Sequence, residues 1–314
     1  MATYQTYTAI GMREDLSDVI YSISPTDVPF MSSIGKTKAT AVLHEWQTDS
    51  LAAASLSNFA VEGATASDAT MSPTTRVGNR LQIAQKTIKI SGTLQSVDKA
   101  GRKSEKAYQL AKASAELKRD LETILLANQG RSAGTSTVAR KLGSLLSWIK
   151  TNSSVGSGGA DPATIGVSTR TDGTQRTFTE ALLKTVIAEV FESGGSPKIL
   201  MVGSAGKQKV SSFAGIAAQR YMAPSNTPTT IIGAADVYMS DFGTMQVIPQ
   251  RFMRNREALV LDPEYAALAY LRPFQTNDLA KTGDSENTQL LAEVTLEVKN
   301  EAAHGIIADL DMSL

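Results

Sequence analysis

Few residues in this sequence have types and spacings suited to catalysis or metal binding. The 314-residue chain has no cysteine and only two histidines, His44 and His304, in separate segments. Neither histidine has a second imidazole or a carboxylate at the spacing of a zinc site. The lack of thiols excludes disulfides, thiolate metal ligands and cysteine nucleophiles. The sequence therefore predicts no metal site, and we expect both histidines to be core or surface residues.

Two short motifs match functional signatures only in their letters. Asp241-Phe242-Gly243 reproduces the metal-binding triplet of protein kinases, but the catalytic loop and the glycine-rich ATP loop that accompany it are missing. The stretch 203–207 (GSAGK) lies between a predicted strand and a predicted helix, as a phosphate loop does. It lacks the four-residue spacer and the Ser or Thr after the lysine. We predict a turn and a helix start, with no catalytic or cofactor-binding residues, in a protein that is not an enzyme.

The charges of the chain balance overall but not locally. Basic and acidic residues number 31 each. Between Arg80 and Lys150 there are 14 basic and 5 acidic residues, whereas between Arg256 and Leu314 there are 4 basic and 11 acidic ones. Either the basic middle pairs with the acidic end, within a subunit or between neighbours, or the basic stretch faces nucleic acid. No apolar run reaches the ~18 residues of a membrane helix, so we expect no membrane partner.

The element around which the chain is organised is a long helix predicted from 104 to 129. Ser104 is suited to cap its start, and Gly130 to end it in the left-handed conformation. Apolar residues recur on one face of this helix, at Leu110, Leu117, Leu121, Ile124 and Leu125. Because this stripe is long and narrow, we expect a sheet from the C-terminal part of the chain to pack along it.

An extended hairpin is predicted before this helix, from 36 to 94. Its strands lie near 39–47 and 80–94, and a change in apolar parity predicts a bulge near Ala84–Gln85. Between the strands, the 31 residues from Thr48 to Gly78 include 17 Ala, Ser or Thr. Compact domains rarely carry such a loop, and a two-stranded ribbon alone is marginally stable. We expect the hairpin to lie across another subunit; the alternative is a loosely held insertion.

After the long helix, the pattern predicts a compact α/β lobe and a final sheet. Helical spacing marks 142–149, and 153–173 is predicted to be a surface loop. A capping box at Thr177 and Glu180, a strand at 198–202, a helix capped by Ser204 and two strands around Asp241 define a lobe from about 176 to 250. From 289 to 300 apolar and polar residues alternate, as in a strand with one solvated face. Before the hairpin, residues 1–35 form an N-terminal arm with a short helix near 13–22.

This order of parts resembles the major capsid proteins of tailed bacteriophages. The resemblance is carried by AELKRDLETILLANQG (115–130), FTEALLKTVIAEVFESGGSPKILMVGSAGKQKVSSF (178–213) and SDFGTMQVIPQRFMRNREALVLDPEYAALAYLRP (240–273). It implies an α+β, HK97-like capsid fold with five parts. These are the N-terminal arm (1–35), the extended β-hairpin loop (36–94), a peripheral domain with the spine helix (95–175), an axial α/β domain (176–250) and a return to the peripheral sheet (251–314).

The function that the resemblance implies is assembly of an icosahedral phage head. Subunits would form hexamers and pentamers that enclose double-stranded DNA, with a portal protein and decoration proteins as further partners. About 35 residues precede the hairpin, too few for a scaffolding domain, so either a separate scaffolding protein or none is expected. The chain would be part of the virion and would assemble in the host cytoplasm. The alternative is an encapsulin-type shell that encloses cargo protein.

The resemblance also assigns two groups of site residues. The extended loop is expected to contact the neighbouring subunit through Trp46, Leu51, Leu56, Phe59 and Met71. The residues expected to face packaged DNA are Lys99, Arg102, Lys103 and Lys106. Some relatives cross-link a loop lysine to a neighbour's asparagine, but this chain has no lysine between Ala39 and Gln85. We therefore expect a non-covalent shell.

Overall fold

The computed structural model describes residues 27–66, 68–69, 71–97, 104–213, 236–281 and 283–312. The predicted helix near 13–22 and most of the N-terminal arm lie outside the described residues. The α-helices are α1 (Pro29–Ser33), α2 (Gly92–Ser96), α3 (Glu105–Leu125), α4 (Glu180–Glu192) and α5 (Ser204–Ser211). The strands are β1 (Gly35–Lys38), β2 (Leu43–Thr48), β3 (Thr75–Arg80), β4 (Gln82–Ser91), β5 (Ser153–Ser154), β6 (Arg176–Thr177), β7 (Ile199–Val202), β8 (Val237–Ser240), β9 (Gly243–Pro249), β10 (Ala258–Leu261), β11 (Ala266–Leu279), β12 (Ser285–Val298), β13 (Gly305–Ile307) and β14 (Leu310–Asp311).

The long helix α3 begins where the sequence predicts and buries the predicted face. The Ser104 hydroxyl accepts a hydrogen bond from the backbone N–H of Ala107, which satisfies one of the free donors of the first turn. The stripe is buried at Leu117, Leu121 and Leu125 and half-buried at Leu110 and Ile124. The fully enclosed apolar side chains of the helix are Ala113, Leu117, Leu121 and Leu125.

The end of α3 differs from the prediction, because the helix stops at Leu125 and not near Gly130. The side chain of Asn128 and the backbone N–H of Gln129 bond to other segments of the chain, which takes these residues out of the helix. Gly130 serves a different purpose from the predicted one. A Cβ at this position would lie 1.9 Å from the carbonyl oxygen of Val167, so only glycine allows the two backbones to approach.

A four-stranded sheet packs against α3, as the stripe predicts. Its strand order is β1-β11-β12-β4, so β4, which was predicted as the second strand of the hairpin, pairs with β12 in this sheet instead. On its inner face Leu290, Ala292 and Val294 join the core formed by the helix. The outer face was expected to be solvated, and this is wrong for Glu293 and Thr295, which are both buried. The strand is covered there because other segments bond to these side chains, among them arginines that pair with Glu293.

A six-stranded sheet, in the order β5-β13-β10-β7-β9-β8, forms the second layer. Because successive side chains of a strand point to opposite faces, β7 contributes Ile199 and Met201 to the core around α3, and Leu200 and Val202 to a second core. The helices α4 and α5 cover that second core. The two layers are therefore continuous through one sheet.

The composition of this sheet corrects the predicted boundary at residue 250. Residues 251–314 were expected to return to the sheet beneath the spine helix, but β10 and β13 pair within the six-stranded sheet. Only β11 and β12 return to the four-stranded one. The lobe thus takes two of its central strands from the C-terminal segment, because long-range strand pairing is not visible in local periodicity.

Two further local expectations are wrong. Strand β4 pairs with β12 in continuous register from Gln82 to Ser91, so there is no bulge near Ala84–Gln85; the parity changes at Leu81, between β3 and β4. The stretch 142–149 is buried as its spacing predicts, but only Leu145–Ser147 forms a short 3-10 helix.

The predicted caps of the lobe are shifted by a residue or two. Helix α4 is capped by Thr179 and not by Thr177, and Gly203, not Ser204, precedes the first turn of α5. Helix α4 ends at Glu192, and Gly194, which has a φ of +87°, follows the C-cap residue Ser193. The turn predicted around Asp241 links β8 to β9.

The stretch predicted as a surface loop, from 153 to 173, is instead tied into the core. Arg170 in this stretch is buried, and its guanidinium bonds to the side chain of Asp161 and the carbonyl of Ile149. All of its glycines except Gly158 are closely packed, so most of them reflect contact and not exposure.

Candidate inter-subunit surfaces

The hairpin is anchored to the body of the subunit at its root. Strands β2 and β3 pair from Leu43–Arg80 to Thr48–Thr75. At the root the buried side chain of Asn79 donates to the carbonyls of Gly143 and Leu296 at 2.9 and 2.8 Å, and accepts from the N–H of Gly143 at 2.7 Å. A fully buried amide with three such bonds fixes the direction in which the hairpin leaves the body.

Trp46 belongs to this root and not to the exposed part of the loop. Its ring lies 5.2 Å from that of Trp148 and packs against the core around α3. The indole Nε1 of Trp46 is buried and has no hydrogen-bond partner among the described residues. Its expected role in an inter-subunit contact is untested, but within the chain it anchors the hairpin.

Beyond the paired strands, residues 49–74 (the tip loop) expose their large apolar side chains. Among its described residues the exposed fractions are 98% for Leu51, 102% for Leu56, 82% for Phe59 and 91% for Met71. Val61, which the sequence analysis did not single out, is 81% exposed. Five such side chains in 26 residues form an apolar surface of the kind that marks a contact with another molecule.

A cleft of about 380 Å³ lies between the hairpin root and the body. Its walls include the apolar side chains of Val77, Trp148 and Ile165. Arg131 and Lys150 also line it, although neither was singled out from the sequence. The missed signal is spatial, because these residues and the hairpin strand come from three separate segments.

The basic residues expected to face DNA divide into two groups. Lys106 forms ion pairs with Asp278 at 3.0 Å and with Glu286 at 3.6 Å, both in the C-terminal strands. For this residue the structure therefore favours the alternative interpretation, in which the basic middle pairs with the acidic end. Lys99, Arg102 and Lys103 lie outside the described residues.

A buried carboxylate attaches the segment before the hairpin to the spine helix. Glu122 of α3 accepts hydrogen bonds from the backbone N–H groups of Phe30, at 2.7 Å, and Met31, at 2.9 Å. It also accepts a bond from the side-chain amide of Gln250. Burial raises the pKa of Glu122 above its ordinary value, although these bonds favour ionisation. The sequence did not indicate this contact, because Glu122 stands out only as a glutamate at the inner edge of an amphipathic helix.

Two other buried titratable groups have strongly shifted pKa values. Burial raises the pKa of Glu257 to about 7, and Arg254, 3.3 Å away, opposes the shift. Burial lowers the pKa of His304 to about 4, and its Nδ1 accepts from the backbone N–H of Asp262. His304 is thus a core histidine, one of the two expected outcomes. His44, half-buried, bonds instead to Glu297 at 3.1 Å.

The described residues contain no group of three His, Asp or Glu side chains placed to hold a metal ion. In the same part of the chain, no helix combines the length and apolar character needed to cross a bilayer.

The arrangement of a spine helix over one sheet, a lobe built on a second sheet and an extended hairpin is matched by a known family. The sequence profile of the SU10 major capsid protein family matches residues 1–311. The chain belongs to this family. The family match and the fold together identify the chain as a structural subunit of an icosahedral phage head, with the HK97-like capsid fold.

Individual relatives agree with this assignment. The major capsid protein of Escherichia phage Phieco32 is 27% identical over 340 aligned residues, which cover 97% of this chain and 96% of that protein. A chain of the Cyanophage A-1(L) capsid asymmetric unit has the same fold, with a TM-score of 0.69 at 11% identity over 95% of this chain and 97% of that one.

The same fold occurs in a cargo-enclosing shell, which was the alternative considered from the sequence. The holo-SrpI encapsulin of Synechococcus elongatus PCC 7942 aligns with a TM-score of 0.58 at 10% identity, over 100% of this chain and 98% of that one. At this identity the likeness concerns the fold alone. The family match decides for the phage capsid protein.

Proposed function

We propose that this capsid protein builds its shell from hexamers and pentamers in which the tip loop of each subunit lies across a neighbour. The observation that carries the proposal is the exposure of Leu51, Leu56, Phe59, Val61 and Met71 on a loop rooted in a rigid body. Burying one such side chain contributes about 1.5–3 kcal/mol, so five supply a substantial part of a subunit contact.

The root of the hairpin makes this contact specific. Because Asn79 and Trp46 hold the root against the body, the loop leaves every subunit in the same direction. A pre-oriented loop loses less conformational freedom on binding than a loosely held insertion would. The proposal therefore favours a docking element over such an insertion.

The test compares two aromatic substitutions in the same hairpin. Phe59→Ser removes an exposed side chain, so we expect an unchanged free energy of unfolding and an assembled fraction reduced about tenfold or more. Trp46→Ala removes the root contact, so we expect a loss of about 3 kcal/mol in the unfolding free energy. Urea unfolding and size-exclusion chromatography measure the two quantities. Normal assembly of a chain carrying both Phe59→Ser and Leu56→Ser would contradict the proposed role of the loop.

The interior of the shell is proposed to hold double-stranded DNA, contacted without sequence preference by Lys99, Arg102 and Lys103. The ion pairs of Lys106 with Asp278 and Glu286 make that residue a weaker candidate. Contacts to phosphate depend on salt and not on sequence. Charge reversal of the three residues is expected to lower the amount of packaged DNA in intact heads; unchanged packaging would remove them from the interior surface.

The remaining partners follow from the family. A portal protein, a separate scaffolding protein and decoration proteins are proposed to act with the shell, which assembles in the host cytoplasm and has no catalytic role. Since no lysine occurs between Ala39 and Gln85, the loop cannot supply one for a covalent cross-link. Mature heads should therefore release single chains in denaturing gel electrophoresis, and ladders of multimers would contradict a non-covalent shell.

A further inference from the structure

Among the described residues, the cleft at the hairpin root is lined by three cationic side chains, Arg76, Arg131 and Lys150, and by only one carboxylate, Glu45. Arg76 is paired with Glu45 through two contacts of 3.1 Å. Among the described residues, the side-chain ammonium of Lys150 bonds only to a backbone carbonyl, at 3.1 Å. Arg131 is half-buried, and no carboxylate of the described residues lies within ion-pairing distance of it. Burial and the like charge of Arg80 lower the pKa of Arg131, and the more distant charge of Glu45, which pairs with Arg76, opposes this shift only in part.

The tip loop has the complementary chemistry. Residues 49–74 include Asp49, Glu62 and Asp68 but no Lys, Arg or His. Asp49 lies at the base of the loop, beside the end of β2, whereas Glu62 and Asp68 lie farther along it. Glu62 follows directly after the exposed Val61. The loop thus presents carboxylates next to apolar side chains, and the cleft presents cations next to Val77, Trp148 and Ile165.

We infer that the cleft is a carboxylate-binding site, and that it takes Glu62 and Asp68 from the tip loop of a second copy of this chain. The inference rests on the proposed assembly function and names the surface that the loop meets. Arg131 and Lys150 bind the carboxylates, while Val61 packs on the apolar wall of the cleft. A half-buried cation gains more from such a partner than an exposed one, because less water screens the pair.

This contact joins two different surfaces, the tip of one subunit and the root of the next. A contact of this kind is heterologous, and its repetition around an axis closes a ring. The loop is long enough for it, since about 13 residues in each direction at ~3.3 Å per residue reach ~40 Å. Tip-to-root binding therefore produces rings of subunits with every cleft filled.

Charge exchange tests the pairing. Arg131→Glu with Lys150→Glu, or Glu62→Lys with Asp68→Lys, should each lower the assembled fraction at least tenfold. All four changes together should restore it to within a few-fold of the wild type. In the matched control, Asp49→Lys replaces the two loop changes and does not restore assembly. Wild-type assembly of either charge-reversed pair, or failure of the fourfold variant to recover although it folds, would overturn the inference.

Cross-linking gives an answer even if a charge-reversed chain fails to fold. Because the chain has no cysteine, Ala60→Cys in the loop and Thr164→Cys in the cleft lining can be prepared separately, mixed and treated with a short bismaleimide. We expect a covalent dimer at least tenfold above that formed with Lys118→Cys, an exposed position of α3. Assembly without this preference would overturn the tip-to-root contact alone. A wild-type chain that never assembles would overturn the proposed function as well.

Discussion

At the scale of single residues, two buried groups make the stability of the folded chain depend on pH in opposite directions. Glu257 has a folded-state pKa of about 7, above the ordinary 4.5, so its contribution to stability is complete below pH 4.5 and is lost as the pH rises through 7. His304 has a folded-state pKa of about 4, below the ordinary 6.5, so its contribution is present above pH 6.5 and is lost as the pH falls through 4. Between pH 4.5 and 6.5 the two effects oppose each other.

Substitution of each group separates the two effects. Glu257→Gln should raise the free energy of unfolding by about 3 kcal/mol at pH 8 and change it little at pH 5, at ~1.4 kcal/mol per pKa unit. His304→Asn, which keeps an acceptor near the Nδ1 position, should instead remove the loss of stability between pH 7 and pH 5. Urea midpoints of the unassembled chain at these pH values provide the measurement. A Glu257→Gln variant that is less stable than the wild type at pH 8 would show that the ion pair with Arg254 outweighs burial.

At the scale of elements, α3 divides into a face that holds the subunit together and a face that does not. Leu121 is fully buried between the helix and the four-stranded sheet, whereas Lys118, one turn away, is exposed. Burial decides how much each face contributes to stability, because removing enclosed methyl groups leaves a cavity, whereas removing an exposed side chain does not.

Alanine substitutions on these two faces should therefore differ sharply. Leu121→Ala is expected to lower the free energy of unfolding by about 2–5 kcal/mol, and Lys118→Ala to change it by less than about 0.5 kcal/mol. Denaturant unfolding of the two variants beside the wild type measures the difference. Similar losses for both would mean that the exposed face of α3 also carries stabilising contacts.

The same elements show how much the sequence could predict. The stripe of α3 and the turn at Asp241 are local patterns, and both are confirmed. The stretch 142–149 has helical spacing but remains mostly irregular, because Asn79, some 64 positions away, bonds both backbone groups of Gly143. Such long-range bonds compete with the helix and leave no trace in local periodicity.

Of the two candidate inter-subunit surfaces, the sequence could predict one but not the other. The tip loop was predictable, since its length and composition make it unsuited to a core. The cleft was not, because Arg131 and Lys150 approach the hairpin only in the folded chain. The sequence also did not indicate that Trp46, an aromatic residue in a predicted loop strand, packs on Trp148 within its own chain.

At the scale of the whole molecule, the subunit combines a rigid body with surfaces that it leaves unsatisfied. Two sheets and α3 share one continuous core, and buried groups such as Asn79 and Glu122 bind the hairpin root and the preceding segment to it. The apolar tip loop and the cationic cleft are the two surfaces that this rigid body leaves without a partner in the described residues. A subunit of this kind reaches its most stable state in an assembly, which agrees with its membership of a capsid protein family.

The central claim is that this chain assembles with copies of itself, and the most direct test uses the purified wild-type protein. Size-exclusion chromatography followed by negative-stain electron microscopy would show its assembly state. The account predicts closed shells, or discrete hexamers and pentamers. A chain that remains a monomer, both alone and after addition of candidate scaffolding proteins, would contradict it.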